Sequence, residues 1–253
     1  MSRRHAVFFL CYNTTPEQLE LSKLALDSVL AQDIGPLDIF VVNNGSTDAT
    51  KTWLNSLIPR ITVAHYPVNR SPLKIANEFS KTIFTQHDKI LGVPSDVILP
   101  SSCYRLMNEW PRGFVSATPI EDVPQFQPVA TGARAVSECT PMCCMLTRKW
   151  AYDAIVAKDG YFFDERYTLY ASDCDLALRM AACGIHGVQL DLPVWHYRSA
   201  SHRLAAPGVG KSITDKADAD RAYFKSKWGF SVDSPQYGAT AADINFKGVG
   251  NAS

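Results

Sequence analysis

The chain has 253 residues, enough for one large domain with a well-buried core. Apolar residues make up 46% and charged residues 20%, an ordinary globular balance that argues against a disordered chain. Lys plus Arg (25) balance Asp plus Glu (25), so no global charge favours nucleic acid or an anionic membrane.

The first apolar run, Ala6 to Tyr12, is too short for a secretory signal core. No stretch approaches the roughly 18 apolar residues of a spanning helix, so no transmembrane segment is expected. The seven cysteines form no CxxC pair. They read as reduced, mostly buried small hydrophobes in a cytoplasmic protein.

Strands and helices alternate over the first hundred residues. Ala6–Cys11 reads as a strand. Pro16–Ala31 reads as a helix capped by Thr15 or Thr14, with Leu19, Leu24, Leu26, Val29 and Leu30 at helical spacing. Asp38–Val42, Ile61–Tyr66 and Lys89–Val93 read as strands. Thr47–Leu57 and Leu73–Phe84 read as the helices between them. This alternation predicts an α/β fold: a single Rossmann-like domain with a mostly parallel central sheet and helices on both faces. Pro111–Ala135, rich in Pro, Gly and Thr, reads as loop. Pro141–Thr147 and Val188–Trp195 read as strands, and Ala171–Cys183 and Ala217–Trp228 as helices. One domain therefore spans 1–230, with no linker clear enough to divide it. A polar tail, 231–253, reads as flexible.

Ligands of such sheets bind at the carboxyl ends of the strands. The residues there are Tyr12 and Asn13 after the first strand, the turn Asn43-Asn44-Gly45-Ser46-Thr47-Asp48 after the second, and Pro94-Ser95-Asp96 after the fourth. The amides of Asn43 and Asn44 suit a base or ribose, though Asn-Gly-Ser-Thr-Asp is also an ordinary turn and helix cap. Asp96 suits a hard divalent cation. Asp173 and Asp175 open a helix. Two acids there satisfy the helix dipole, and Asp173 can also serve as a general base. His196 follows a strand and can ligate a cation as neutral imidazole. There is no Gly-rich phosphate loop near the first strand, which disfavours a nucleotidyltransferase and a dinucleotide oxidoreductase.

Five segments in order resemble the family-2 glycosyltransferases of the A-type fold: FFLCYNTTPEQLELSKLALDSVLAQ, FVVNNGSTDAT, PVNRSPLKIAN, FDERYTLYASDCDLALRMAACG and YFKSKWG. The resemblance implies a nucleotide diphosphate sugar donor (a UDP-sugar favoured), a divalent cation (Mn²⁺ or Mg²⁺) and inversion at the anomeric carbon. It places Tyr12, Asn13, Asn43, Asn44, Ser95 and Asp96 at the nucleotide-sugar site, with Arg70 or Lys74 against phosphate. Asp96 and His196 would hold the metal, and Asp173 would be the base. Four positions depart from the family pattern. Asn43 stands for a base-reading Asp, Ser71 for a Gly, Pro94 for the first Asp of Asp-x-Asp, and Ser172 for the Glu before Asp173.

The resemblance makes about 1–100 the nucleotide-binding half and about 101–230 the acceptor-binding half, and the acceptor is expected to meet Pro119–Arg134 and Met142–Met145. A glycan is the default acceptor. The cluster Arg198, His202, Arg203 and Lys211 leaves a nucleic-acid acceptor as a lesser alternative. A catalytically degenerate binding protein is the rival class, motivated by Pro94 and Ser172.

Overall fold

The computed structural model describes residues 5–121, 133–137, 143–168, 170–197, 200–204 and 209–237. Among the described residues nine strands form one sheet: β1 (His5–Cys11), β2 (Leu37–Asn44), β3 (Thr62–Tyr66), β4 (Lys89–Pro94), β5 (Val97–Ile98), β6 (Phe114–Glu121), β7 (Ala135–Ser137), β8 (Met145–Arg148) and β9 (Gly187–His196). The order is β3-β2-β1-β4-β8-β6-β9-β5, with β7 paired to β9.

The helices are α1 (Pro16–Leu30), α2 (Asp48–Ser56), α3 (Pro72–Ile83), α4 (Cys103–Asn108), α5 (Lys149–Asp159), α6 (Ser172–Ala182), α7 (Ala200–Arg203) and α8 (Val209–Trp228).

The first four strands pair in parallel, as the alternation requires. Beyond β4 the sheet becomes mixed. β8 runs antiparallel to both β4 and β6, while β6 and β9 are parallel. Pro111–Ala135 is not all loop. Phe114–Glu121 is a strand whose Phe114, Val115 and Ala117 are fully buried. Its pairing with β9 shifts register between Ser116 and Thr118, an irregularity that blurs the alternation in the sequence.

Both faces of the sheet are covered. On one face Val7, Phe9, Val41 and Leu91 pack with Leu26 and Val29 of α1 and Tyr104 of α4. On the other, Phe8 and Ile90 pack with Ile75 and Ile83 of α3, Tyr152 of α5 and Leu176 of α6. Period-two alternation along β1 sends Phe8 one way and Val7 and Phe9 the other. A third cluster joins Tyr167 and Leu178 to Phe224 of α8, with Val232 and Tyr237 against it. The first residues of the expected tail are thus packed, and 238–253 lie outside the described residues.

Thr15 caps α1 as expected, accepting from Gln18 N at 3.3 Å. Cys11, Cys103 and Cys144 are buried, and burial pushes the Cys11 thiol up to about 12. No helix among the described residues is long and apolar enough to cross a membrane.

Candidate active site

A cavity of about 860 Å³ opens at the carboxyl ends of β1 and β4, against the start of α3 and the segment before α6. Tyr12, Asn13, Asn44, Arg70, Ser95 and Asp96 all line it. Six of the sequence-derived candidates therefore share one cavity, at the place a doubly wound sheet presents its ligands.

The short strand β5 brings His196, which does not line the cavity, beside Asp96. Val97 pairs antiparallel with His196, and Tyr197 N donates to Asp96 O at 2.9 Å. This ladder holds His196 Nε2 3.6 Å from Asp96 Oδ2. A carboxylate oxygen and an imidazole nitrogen so placed are a fitting half-set for Mn²⁺ or Mg²⁺. No group of three or more His, Cys, Asp or Glu side chains suited to a metal occurs among the described residues. The donor set suits a cation that takes its remaining ligands from a diphosphate.

The side-chain amides of the asparagines are engaged within the protein. Asn43 is buried and turned away from the cavity. Its Oδ1 accepts from Ser46 N (3.1 Å) and its Nδ2 lies 3.0 Å from His65 Nδ1. Asn44 donates to Asn69 Oδ1 (2.7 Å) and Arg70 O (2.9 Å) and accepts from Arg70 N (2.9 Å). Asn13 accepts from Ser22 Oγ, and its own N–H donates to Ser46 Oγ. Buried amides must find partners, and here they find them largely in the protein. They fix the turns that form the rim.

Gly45 sits between these turns at φ +76°. A Cβ there would lie 2.4 Å from Asn69 N, so only glycine lets the 68–69 segment close over the turn. Ser71, the departure from Gly, caps α3 by accepting from Lys74 N at 3.4 Å, with Pro72 following at the first helical position. Arg70 stacks 4.5 Å above the Tyr66 ring and pairs with Glu78 at 2.8 Å. Lys74 is exposed and lies outside the cavity lining.

Asp173 is exposed in the first turn of α6, its Oδ1 accepting from Cys174 N at 2.8 Å; it does not line the cavity. Ala171 before it has φ +56°, a left-handed conformation uncommon for alanine. Asp220 of α8 holds this segment. Buried at 2% exposure, it accepts from Thr168 N and Tyr170 N, each at 2.8 Å. Asn77 does the same for the preceding turn, exchanging two hydrogen bonds with the Phe163 backbone. The sequence reading assigned Asn77 and Asp220 no role. Asn77 stood inside a quoted motif, whereas nothing local marks Asp220.

Below α6 lies a buried ionic network. Asp175 is fully buried and is met by Arg179 (2.8 Å), Lys227 (2.6 Å) and Trp228 Nε1 (2.9 Å). Lys227 also reaches Asp164 at 2.8 Å, which Arg166 meets as well. Burial alone would raise the Asp164 carboxyl, but the Arg166 and Lys227 hydrogen bonds outweigh it and hold it below the usual carboxylate range. The segment YFKSKWG thus supplies Lys227 and Trp228 as ties from α8 to the helix of Asp173.

Of the residues considered for the acceptor, 122–132, Met142 and Arg198 lie outside the described residues, as do the side chains of His202 and Lys211. Arg203 is exposed and stacks on Tyr197 at 4.7 Å.

Residues 7–77 match the family described as Glycosyl transferase family 2. No curated protein matches the chain. Among solved structures, S. aureus TarS 1–349 in complex with UDP is similar, with a TM-score of 0.58 and 14% identity over 98% of this chain and 81% of that one. The same protein in complex with UDP-GlcNAc gives a TM-score of 0.57 at 14% identity, covering 97% and 80%. Mannosyltransferase PcManGT from Pyrobaculum calidifontis, in complex with GDP-Man and Mn²⁺, gives 0.57 at 15% identity, covering 99% and 76%.

Proposed function

We propose that this family-2 glycosyltransferase, identified by residues 7–77 on a fold shared with a solved mannosyltransferase, moves a sugar from a nucleotide diphosphate sugar to an acceptor hydroxyl with inversion. The observation that carries the reading is the shared cavity. Tyr12, Arg70, Ser95 and Asp96 meet there at the carboxyl edge of a sheet whose first half carries the family pattern.

Tyr12 and the turns pinned by Asn13 and Asn44 receive the nucleotide. Arg70 and Ser95 face the diphosphate. Asp96 and His196 hold a divalent cation, Mn²⁺ or Mg²⁺, which when bound neutralises charge on the leaving diphosphate. UDP is the favoured nucleotide, in keeping with the UDP and UDP-GlcNAc complexes of the similar TarS. Asp173 takes the proton of the acceptor hydroxyl as that oxygen attacks the anomeric carbon. Its exposure keeps it available to an acceptor arriving from solvent. The acceptor is a glycan, and the 101–230 half receives it. A reducing, cytoplasmic setting is in keeping with three buried free cysteines.

A second reading is a binding protein that has lost transfer. It is favoured by Pro94 in the place of a carboxylate and by a two-member metal pair. A thermal-shift screen of UDP, GDP and their sugars, each with and without Mn²⁺, tests nucleotide binding. Cation-dependent stabilisation by one nucleotide supports the transferase. Stabilisation without turnover toward any glycan acceptor supports the binding protein, and no shift with any nucleotide overturns both.

A further inference from the structure

A second cavity, of about 540 Å³, opens at the other end of β4 and shares no lining residue with the first. β4 runs from Lys89 here to Pro94 at the first cavity, roughly 17 Å at the usual strand rise. The volume falls within the roughly 300–1,000 Å³ of small-molecule sites.

Two cations meet there in an unfavourable arrangement. Lys89 of β4 and Arg148 of β8 are directly opposed in the antiparallel register, so their side chains leave the same face of the sheet, where like charges repel. Both are half-buried. Both converge on one neutral residue, Asn108 at the end of α4. Lys89 Nζ donates to its Oδ1 at 2.5 Å, and Arg148 Nη2 donates to its backbone O at 3.1 Å. Arg148 also donates to Arg112 O and Trp110 O, which fixes its guanidinium plane, while Nη1 has no hydrogen bond among the described residues. Three acids line the cavity, yet among the described residues none forms an ion pair with Lys89 or Arg148. Lys149 takes both oxygens of Asp153, Arg105 meets Glu109 at 3.4 Å, and Asp88 is engaged as well. Burial and the Arg148 charge lower the Lys89 pKa against the opposing pull of Asp88. His5, at the start of β1, is lowered by burial and then by Lys89. Half-buried charges without a counter-ion are costly to keep, and two of them facing one open cavity are the makings of an anion site.

α5 begins at the same place. Arg148 is its N-cap, its first turn holds no acid, and no side chain caps it, whereas Thr15 and Ser71 cap α1 and α3. That turn adds partial positive charge. It also presents Trp150, 53% exposed and lining the cavity with Pro111. The indole lies over Gly113, where a Cβ would come within 2.9 Å of its Cη2, so a flat apolar wall is held beside the two cations.

We propose that this cavity binds a phosphate monoester of a ring-bearing small molecule, its phosphoryl group between Lys89 and Arg148 and its ring against Trp150. Two full positive charges and a helix start match a dianion better than the single charge of a carboxylate. The site goes beyond the sugar-transfer reading and does not depend on it.

The test is calorimetric titration of the full chain, in the presence of a chelator, with phenyl phosphate, inorganic phosphate and phenol. Phenyl phosphate should bind saturably, inorganic phosphate about threefold or more weaker, and phenol not at all. Lys89→Gln, which keeps an amide beside Asn108, should weaken both phosphates by about tenfold or more. Trp150→Ala should weaken phenyl phosphate by about threefold or more and leave inorganic phosphate unchanged; it alters an exposed side chain and decides the matter if Lys89→Gln does not fold. Arg70→Gln, at the first cavity, should change neither affinity. Absence of saturable phenyl phosphate binding, phenol binding equally well, or phenyl phosphate affinity untouched by Trp150→Ala overturns the proposal. So does affinity lost in Arg70→Gln but kept in Lys89→Gln, which would assign the anion to the first cavity.

Discussion

The Asp220 clamp offers the sharpest test of how the site is held. Its two carboxylate oxygens each accept one backbone N–H, from Thr168 and Tyr170, at 2.8 Å and at 2% exposure. Hydrogen bonds to a charged acceptor contribute about 1.5–3 kcal/mol each. Asp220→Ala strands two amides and is expected to cost about 3–5 kcal/mol, a large share of an ordinary domain's 5–15 kcal/mol. Asp220→Asn is the better probe. It keeps one acceptor and turns an NH₂ toward the other amide, at about half that cost. The released segment contains Ala171, whose left-handed conformation persists only while its surroundings impose it. Relaxation there shifts Asp173 two residues on, and misplacement by about 1 Å can cost on the order of 100-fold in rate. Asp220→Asn should therefore lower kcat by about 10- to 100-fold while UDP affinity, measured by titration, stays near that of the parent. A fall in melting temperature with kcat unchanged would refute the argument and make the clamp purely structural.

Asp173→Asn should abolish most sugar transfer and leave nucleotide titration curves unchanged; an active variant refutes the base assignment. Asp96→Ala should remove the Mn²⁺-dependent part of nucleotide stabilisation. At ligand one hundred times Kd that part is worth about 2.7 kcal/mol, or about 5–10 °C in a domain of this size. Lys227→Met leaves Asp164 and Asp175 buried without their shared cation and should destabilise by about 3–5 kcal/mol in urea. The Asp164 carboxyl is depressed in the fold, so its contribution is complete above the unfolded carboxylate range. That contribution is lost as pH falls below about 4. Acid titration of the Lys227→Met variant should show a shallower loss than the parent.

The first half of the fold is legible because its elements are long, periodic and punctuated by caps. Thr15, Pro16 and Pro72 sit where those rules put them. The second half hides for physical reasons. β6 carries a register shift and α4 has only six residues, whereas β8, though only four residues long, falls in the run Pro141–Thr147 that reads as a strand. α5 was readable in principle: Ala151, Tyr152 and Ile155 are buried at helical spacing and Gly160 closes it in the left-handed conformation. Site chemistry divides in the same way. Asp96 and Tyr12 line the cavity because both follow strand ends, where such sheets present their ligands. Asn43 and Asn44 hold turns, and an amide's sequence signature is the same whether it serves a turn, a ligand or both. Asp220 could not be found, since its partners lie some fifty residues away in the chain.

The two-residue strand β5 ties Asp96 to a partner exactly one hundred positions later. The candidate cation pair is therefore a product of loop closure across a long stretch of the domain, a kind of contact that forms late in folding. A truncated chain ending before β9 would keep the matched family segment and every strand of its parallel half, yet hold only one of the two ligands. Cation-dependent nucleotide binding is then a report on completion of the whole chain, and in a refolding experiment it should rise only with the slowest phase.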